Sequence, residues 1–308
     1  LSQSVPIVYS PLNGTGYKPV LRALRESGYE NITVVQEQAE PDGHFPTCPY
    51  PNPEQPEAMA LGLVYARRVG AELLLATDPD CDRVGIAVPD ETGTYTLLSG
   101  NETGLLLLDY ICQRRQAQGR LPKNAVCLKT IVTSELAGQI AARYGVRCQS
   151  VLTGFKYIGE QIGLLEEAGE EDSFILGFEE SYGYLSGSYV RDKDGVGASL
   201  LICEMCAWYK KQGGSLWQRL TELYREYGYC LSIQRSYAFE GADGFRRMQE
   251  LMGGLRAGRR LFQSGPAALS CADYAGGRDG LPPSDVLRFE LEGGCSVVIR
   301  PSGTEPTL

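Results

Sequence analysis

Histidine is almost missing from this chain, which has one in 308 residues, His44. It sits in PDGHFPTCPYPNPEQPE, residues 41–57, a stretch too rich in proline for helix or strand, and so reads as a loop residue. Histidine general-base catalysis and a histidine-rich metal centre are thereby set aside. Basic runs are missing as well: Lys and Arg total 29 against 38 Asp and Glu, a formal charge of -9. That balance argues against nucleic acid or an anionic membrane surface as the main partner, and any anionic ligand must be held by local groups. No stretch approaches the roughly 18 consecutive apolar residues of a membrane span. The ten cysteines show no zinc-type spacing. Their one close pair, Cys203 and Cys206, lies in LLICEMCAWYKK, a helix by pattern, and they read as reduced core thiols of a cytosolic protein.

What is present is an ordinary globular composition, 43% hydrophobic and 22% charged. The length leaves room for two or three domains of about 100 to 150 residues. The sequence opens at Leu1 without methionine and stops directly after RPSGTEP, which reads as a piece cut at both ends, with any N-terminal signal out of view.

Strand and helix signals alternate from the start. VPIVYS reads as a strand, PLNGTGYK as a polar turn, PVLRALRES as a helix stopped by Gly28, and NITVV as a second strand. EAMALGLVYARRVG is a helix stopped by Gly70, AELLLAT a strand, GIAVPDETGTYTLL a hairpin, and TGLLLLDYICQRRQAQ a buried helix ending at Gly119. After RLPKN the plan repeats: strand AVCLKTIVT, Ser134 as an N-cap, helix ELAGQIAARY, Gly145 as its stop, and strand VRCQSVL. A long helix follows at 197–212. From about residue 230 the texture changes to a smaller α+β unit with a helix FRRMQELMGGLRAG and strands VLRFELEGG and CSVVIR.

Three short stretches carry chemistry. In LLLATDPDCDRVGIAV an apolar ribbon is broken by Asp78, Asp80 and Asp82 at alternate positions. Three carboxylates held against a core repel unless water or a cation separates them, and oxygen-only donors favour a hard ion, Mg²⁺ before Ca²⁺. Arg83 could orient a carboxylate or reach a phosphate, and Cys81 fills a small residue's space. The bland alternative is a solvated acidic turn. RPSGTEP follows a strand and joins a guanidinium, Arg300, to the hydroxyls of Ser302 and Thr304 and a backbone freed by Gly303, a combination suited to a phosphate ester. An ordinary Pro-Ser-Gly turn accounts for Pro301 and Gly303 but not for Arg300. GFEESYGY puts Glu179, Glu180 and Ser181 after an apolar strand, where carboxylate and hydroxyl can meet sugar hydroxyls. TGFKY adds Thr153, Gly154 and Lys156, and VRDKDG adds Arg191 and Lys193; each alone would be read as surface charge.

Taken together, PLNGTGYKPV, PDGHFPTCPYPNPE, ATDPDCDRVG, LTGFKYIGE, GFEESYGYL, VRDKDGV and RPSGTEP resemble the α-D-phosphohexomutase superfamily, in that order and over essentially the whole chain. The likeness is greatest to its bacterial phosphoglucomutase and phosphopentomutase-like branch. The resemblance implies an α/β protein: two tandem related α/β domains with mixed sheets flanked by helices, residues 1–121 and 122–229, plus a truncated α+β domain, 230–308. It implies a Mg²⁺ loop at Asp78, Asp80 and Asp82 with Arg83 beside it, and sugar recognition by Glu179 and Ser181 with Lys193 in support. It implies a phosphate loop at Arg300, Ser302, Gly303 and Thr304. Arg83 and Lys193 would support catalysis. The implied reaction interconverts hexose 1-phosphate and hexose 6-phosphate through a phosphoserine and a bisphosphate intermediate. The family's T-A-S-H-N-P type serine loop does not occur in these residues, so the chain alone is expected to be inactive; Cys81 stands where the family has a small residue.

Two other readings compete. LLLATDPD could open an aspartate-nucleophile phosphatase, but that chemistry prefers a small hydroxyl or β-branched residue where Asp82 stands and has no use for RPSGTEP. Alternatively the chain is a non-catalytic binder of metal and sugar phosphate. Mannose and pentose phosphates compete with glucose phosphate as the substrate.

Overall fold

A computed structural model describes residues 4–301 and Leu308. The chain divides into two compact units, residues 1–231 and 232–308.

The first unit holds two sheets. In one, β1 (Ile7–Ser10), β2 (Ile32–Val34), β3 (Leu73–Thr77), β4 (Val84–Pro89) and β5 (Tyr95–Leu98) lie in the order β2-β1-β3-β4-β5. β1 runs parallel to β2 and β3, whereas β3, β4 and β5 are antiparallel in turn. In the other, β6 (Val126–Thr130), β7 (Arg147–Val151), β8 (Phe174–Phe178) and β9 (Tyr184–Leu185) lie in the order β7-β6-β8-β9. Here too the first strand is parallel to its two neighbours and the last pairing is antiparallel. The repeated plan legible in the sequence is therefore a repeated topology.

Both faces of the first sheet are covered, so its strands are apolar without alternating with polar residues. Ile7, Tyr9, Leu73 and Leu75 point into one cluster, and Val8, Leu74 and Ala76 into another, as a period of two requires. The second cluster is closed by α2 (Pro56–Val69), which starts on Pro56 and ends at Gly70 with φ 64°. The first cluster is closed by α1 (Tyr17–Glu26), α3 (Gly100–Ala117) and α6 (Gly195–Lys211), and it continues without interruption into side chains of the second sheet. α3 begins with a full capping box, Ser99 and Glu102, and α6 with Asp194 accepting from the N–H groups of Val196 and Gly197. α4 (Leu136–Arg143), α5 (Phe155–Glu167) and α7 (Leu216–Tyr227) complete the unit.

The structure differs from the sequence-based expectation at one cap and at several whole elements. The N-cap of α4 is Glu135, one residue later than expected; Ser134 Oγ still accepts from the Leu136 N–H at 3.3 Å. Among the elements not assigned from the sequence are α5, α7 and, in the second unit, the strand over Ala268–Asp273.

The second unit packs α8 (Gly241–Arg256) on an antiparallel sheet of β10 (Ala268–Asp273), β11 (Leu287–Leu291) and β12 (Ser296–Ile299). Met252 and Leu255 of the helix meet Leu287, Phe289 and Leu291, the buried face of an alternating strand. No described helix is long and apolar enough to cross a membrane, and all ten cysteines are free thiols.

Candidate functional site

The three aspartates occupy the connection from β3 to β4. Asp78 is buried where the apolar strand ends, and its Oδ1 accepts from the N–H groups of Asp82 at 3.1 Å and Arg83 at 2.9 Å. The Cys81 N–H returns to the Asp78 carbonyl at 3.0 Å, with Cys81 in the left-handed region at φ 62°. These bonds curl the loop so that alternate residues turn one way. Carboxylate oxygens of Asp78, Asp80 and Asp82 thus lie within 4.8 Å of one another. Burial, chiefly, and then the Asp82 and Asp80 charges outweigh the backbone bond and push the Asp78 carboxyl up to about 7.

The polar turn PLNGTG braces this loop, a role the sequence did not suggest. Thr15 donates both its N–H, at 2.7 Å, and its Oγ1, at 3.0 Å, to the Pro79 carbonyl. At Gly14 a Cβ would come within 2.4 Å of the Pro79 Cα, so only glycine admits this approach. In front of the loop opens a pocket of about 830 Å³. Its walls are Asp78, Asp80, Asp82 and Arg83 on one side and residues 47–52, Gln55 and Glu57 of the proline-rich segment on the other.

Glu179 and its neighbours lie on the connection from β8 to β9, the topological equivalent of the aspartate loop in the second sheet. Glu179 is buried; its Oε1 accepts from the Gly154 N–H at 3.1 Å, which joins the TGFKY turn to it. Burial and the Glu180 charge raise its carboxyl, opposed by Lys193 and Arg83. Glu180 turns the other way, and its Oε2 accepts from Thr130 Oγ1 at 3.0 Å and Thr133 Oγ1 at 3.2 Å. Ser181 is half-buried, Lys156 is exposed with its ammonium 4.9 Å from the Tyr157 ring, and the buried Thr153 Oγ1 has no hydrogen-bond partner among the described residues.

Lys193 joins the two regions. Its Nζ lies 2.9 Å from Asp82 Oδ2 and 3.0 Å from Asp192 Oδ1, while its stem lies against Gly183, where a Cβ would come within 2.3 Å of Lys193 Cδ. Burial works against its charge, yet these two carboxylates win and its ammonium is held above the usual lysine range. Arg83 pairs with Glu54, the last residue of the stretch PDGHFPTCPYPNPE, at 3.0 Å, a partnership that the sequence does not indicate. The motif marks the loop, but only the fold brings its glutamate to Arg83.

Arg300 is exposed directly after β12 in the second unit, while Ser302, Gly303 and Thr304 lie outside the described residues.

Comparison with known proteins gives a consistent result. Residues 1–93 match the family described as phosphoglucomutase/phosphomannomutase, alpha/beta/alpha domain II, and residues 99–227 match its domain III. A phosphoglucomutase from Staphylococcus haemolyticus is 33% identical over 98% of this chain and 56% of its own length. A Haemophilus influenzae protein described as a "probable phosphomannomutase" is 36% identical over 98% of this chain and 58% of its own. The chain thus spans about half the length of the curated relatives it matches. In fold it is similar to parafusin, a phosphoglucomutase from Paramecium solved in an open form, with TM-score 0.66, 20% identity, and 98% of this chain and 52% of that one covered.

Proposed function

Because the chain belongs to the phosphoglucomutase/phosphomannomutase family, we propose that the protein carrying it interconverts hexose 1-phosphate and hexose 6-phosphate, with glucose as the hexose. The observation that carries this reading is the convergence of Asp78, Asp80 and Asp82 at the wall of the large pocket, tied through Lys193 to the Glu179 region. An exposed acidic turn would have no reason to bury Asp78.

The trio fits a hard divalent ion: all its donors are carboxylate oxygens, and they lie within 4.8 Å of one another. Asp78, Asp80 and Asp82 would hold Mg²⁺, which when bound supplies positive charge against the oxygens of the transferring phosphoryl group. Phosphoryl transfer asks the protein mainly for positioning and electrostatics. Arg83 and Lys193 border the same carboxylates and add two fixed cations. Glu179 and Ser181 accept from and donate to the sugar hydroxyls, assisted by Thr153, Gly154 and Lys156. Arg300, Ser302, Gly303 and Thr304 grip the phosphate that is not reacting. The sugar reverses between two half-reactions as a hexose bisphosphate, with a phosphoserine outside these 308 residues as donor and acceptor. On this reading the 308 residues bind but do not turn over, and the reaction runs in the cytosol, where free thiols persist.

The test uses a protein in which these residues are joined to the serine-bearing domain. Asp80→Ala should remove Mg²⁺-dependent conversion of glucose 1-phosphate, roughly a hundredfold or more at fixed Mg²⁺. An unchanged rate would remove the cation from the reading. Isomerisation by the 308 residues alone would refute the outside serine. Relative rates on glucose, mannose, glucosamine and deoxyribose 1-phosphates assign the sugar.

A further inference from the structure

We infer that Glu54 is a positioning residue that holds the Arg83 guanidinium off the aspartate trio and so keeps the oxygens it faces, Asp78 Oδ2 and Asp82 Oδ1, open to a divalent cation. The inference rests on the cation reading of the trio given above.

Arg83 has little choice about where it hangs. Its main chain is fixed on both sides: its N–H donates to Asp78 Oδ1 at 2.9 Å, and it forms an antiparallel bridge with Gly183. From that anchor the guanidinium lies over the carboxylates, with Nε 3.9 Å from Asp78 Oδ2 and 3.8 Å from Asp82 Oδ1. Those are ion-pair distances, beyond hydrogen-bonding reach. A shift of about 1 Å would turn them into charge-assisted bonds of the forked kind arginine favours. Arginine would then compete with the cation for the same oxygens.

Glu54 opposes that shift. Its Oε1 takes Nη1 of Arg83 at 3.0 Å, the one hydrogen bond of the guanidinium to a side chain among the described residues. Its own backbone is fixed: the Glu54 N–H donates to Asn52 Oδ1 at 2.9 Å, and the Gln55 N–H to the Asn52 carbonyl at 2.9 Å, just ahead of α2. The preceding Pro53 lies directly on β4, where a Cβ at Gly85 would come within 2.7 Å of the Pro53 Cβ. A carboxylate on so fixed a loop, with its side chain 18% exposed, acts as a stationary counter-charge. Arg83 is therefore shared between one firm partner and two that it only approaches, and removing the firm partner leaves the trio as its nearest source of negative charge.

The experiment is Mn²⁺ titration by calorimetry on the 308-residue chain and three variants: Glu54→Gln, Arg83→Ala, and the two combined. Outer-sphere partners of metal sites typically set affinity by 10-fold to 100-fold, so Glu54→Gln should weaken Mn²⁺ binding roughly tenfold. Arg83→Ala should bind as well as the parent or better. The double variant should return to the Arg83→Ala value, because without the arginine nothing needs holding back. If Glu54→Gln fails to fold, as judged by its thermal midpoint, the double variant against Arg83→Ala still decides the matter. Equal affinity of Glu54→Gln and parent overturns the inference and leaves the cation reading standing. A double variant weaker than Arg83→Ala also overturns it, assigning Glu54 to loop packing. A parent chain that takes up no Mn²⁺ overturns the cation reading, and this inference with it.

Discussion

Arg83 and Gly183 face each other in an isolated antiparallel bridge, and the next residue, Val84, donates its N–H to the Tyr182 carbonyl at 3.1 Å. Two hairpin connections in equivalent positions of two related sheets, one bearing the aspartates and the other Glu179, are thereby joined through their backbones. Lys193 adds a side-chain tie, its stem against Gly183 of one connection and its ammonium on Asp82 of the other. The two regions therefore share a fixed separation and do not depend on a flexible approach.

The fixed separation makes a tight contact testable. At Gly100, the first residue of α3, a Cβ would come within 2.1 Å of the Glu180 carbonyl oxygen and 2.8 Å of the Tyr182 nitrogen, both backbone atoms. Gly100→Ala should lower the stability of the first unit by about 1 to 3 kcal/mol, as overpacking does. Urea unfolding of the chain measures it; a midpoint unmoved from the parent's would show that the helix start yields without cost.

Cation binding should depend on pH through Asp78. Its carboxyl is raised to about 7 in the folded chain, chiefly by burial, against about 3.9 when unfolded. With the folded value the higher, this group's favourable contribution is fully present below the unfolded pKa and is lost as the pH rises through about 7. A cation compensates the ionised form, so the rise in thermal midpoint on adding Mg²⁺ should grow between pH 5 and pH 8, and binding at pH 6 should release protons. A Mg²⁺-induced shift independent of pH over that window would contradict the placement of the ion on Asp78.

A third expectation concerns the frame behind the site. Asp109 of α3 is wholly buried and takes a forked pair of bonds from Arg219 of α7, Nε and Nη2 each at 2.9 Å. It also accepts from Tyr144 at 2.8 Å and Tyr209 at 3.2 Å. Arg219→Ala strands a buried carboxylate and should cost about 3 to 5 kcal/mol, while replacing both residues by apolar ones of similar volume should recover much of that loss. Chemical unfolding of the single and double variants makes the comparison; equal losses would mean that the charge left behind is not what matters.

What the sequence determined by itself is local. The alternating strand and helix signals, the stops at Gly70 and Gly145, and the spacing of Asp78, Asp80 and Asp82 all follow from preferences that act over a few residues. That sufficed to recognise two copies of one plan, because a strand-turn-helix pattern repeats in the chain as plainly as in space. It also sufficed to mark the aspartates, since acidic residues inside an apolar ribbon conflict with their surroundings wherever they fold. The tertiary structure alone decided what surrounds them. No role could be given from the sequence to Glu54, Thr15, Thr130 or Thr133, and they matter because the fold carries them to Arg83, Pro79 and Glu180. Lys193 likewise reads as surface charge until α6 is packed against the first sheet and brings its N-terminal approach beside Asp82. Partners for a buried charge are chosen by proximity in space, and proximity between residues far apart in the chain is created only when the apolar faces of both sheets close over one core.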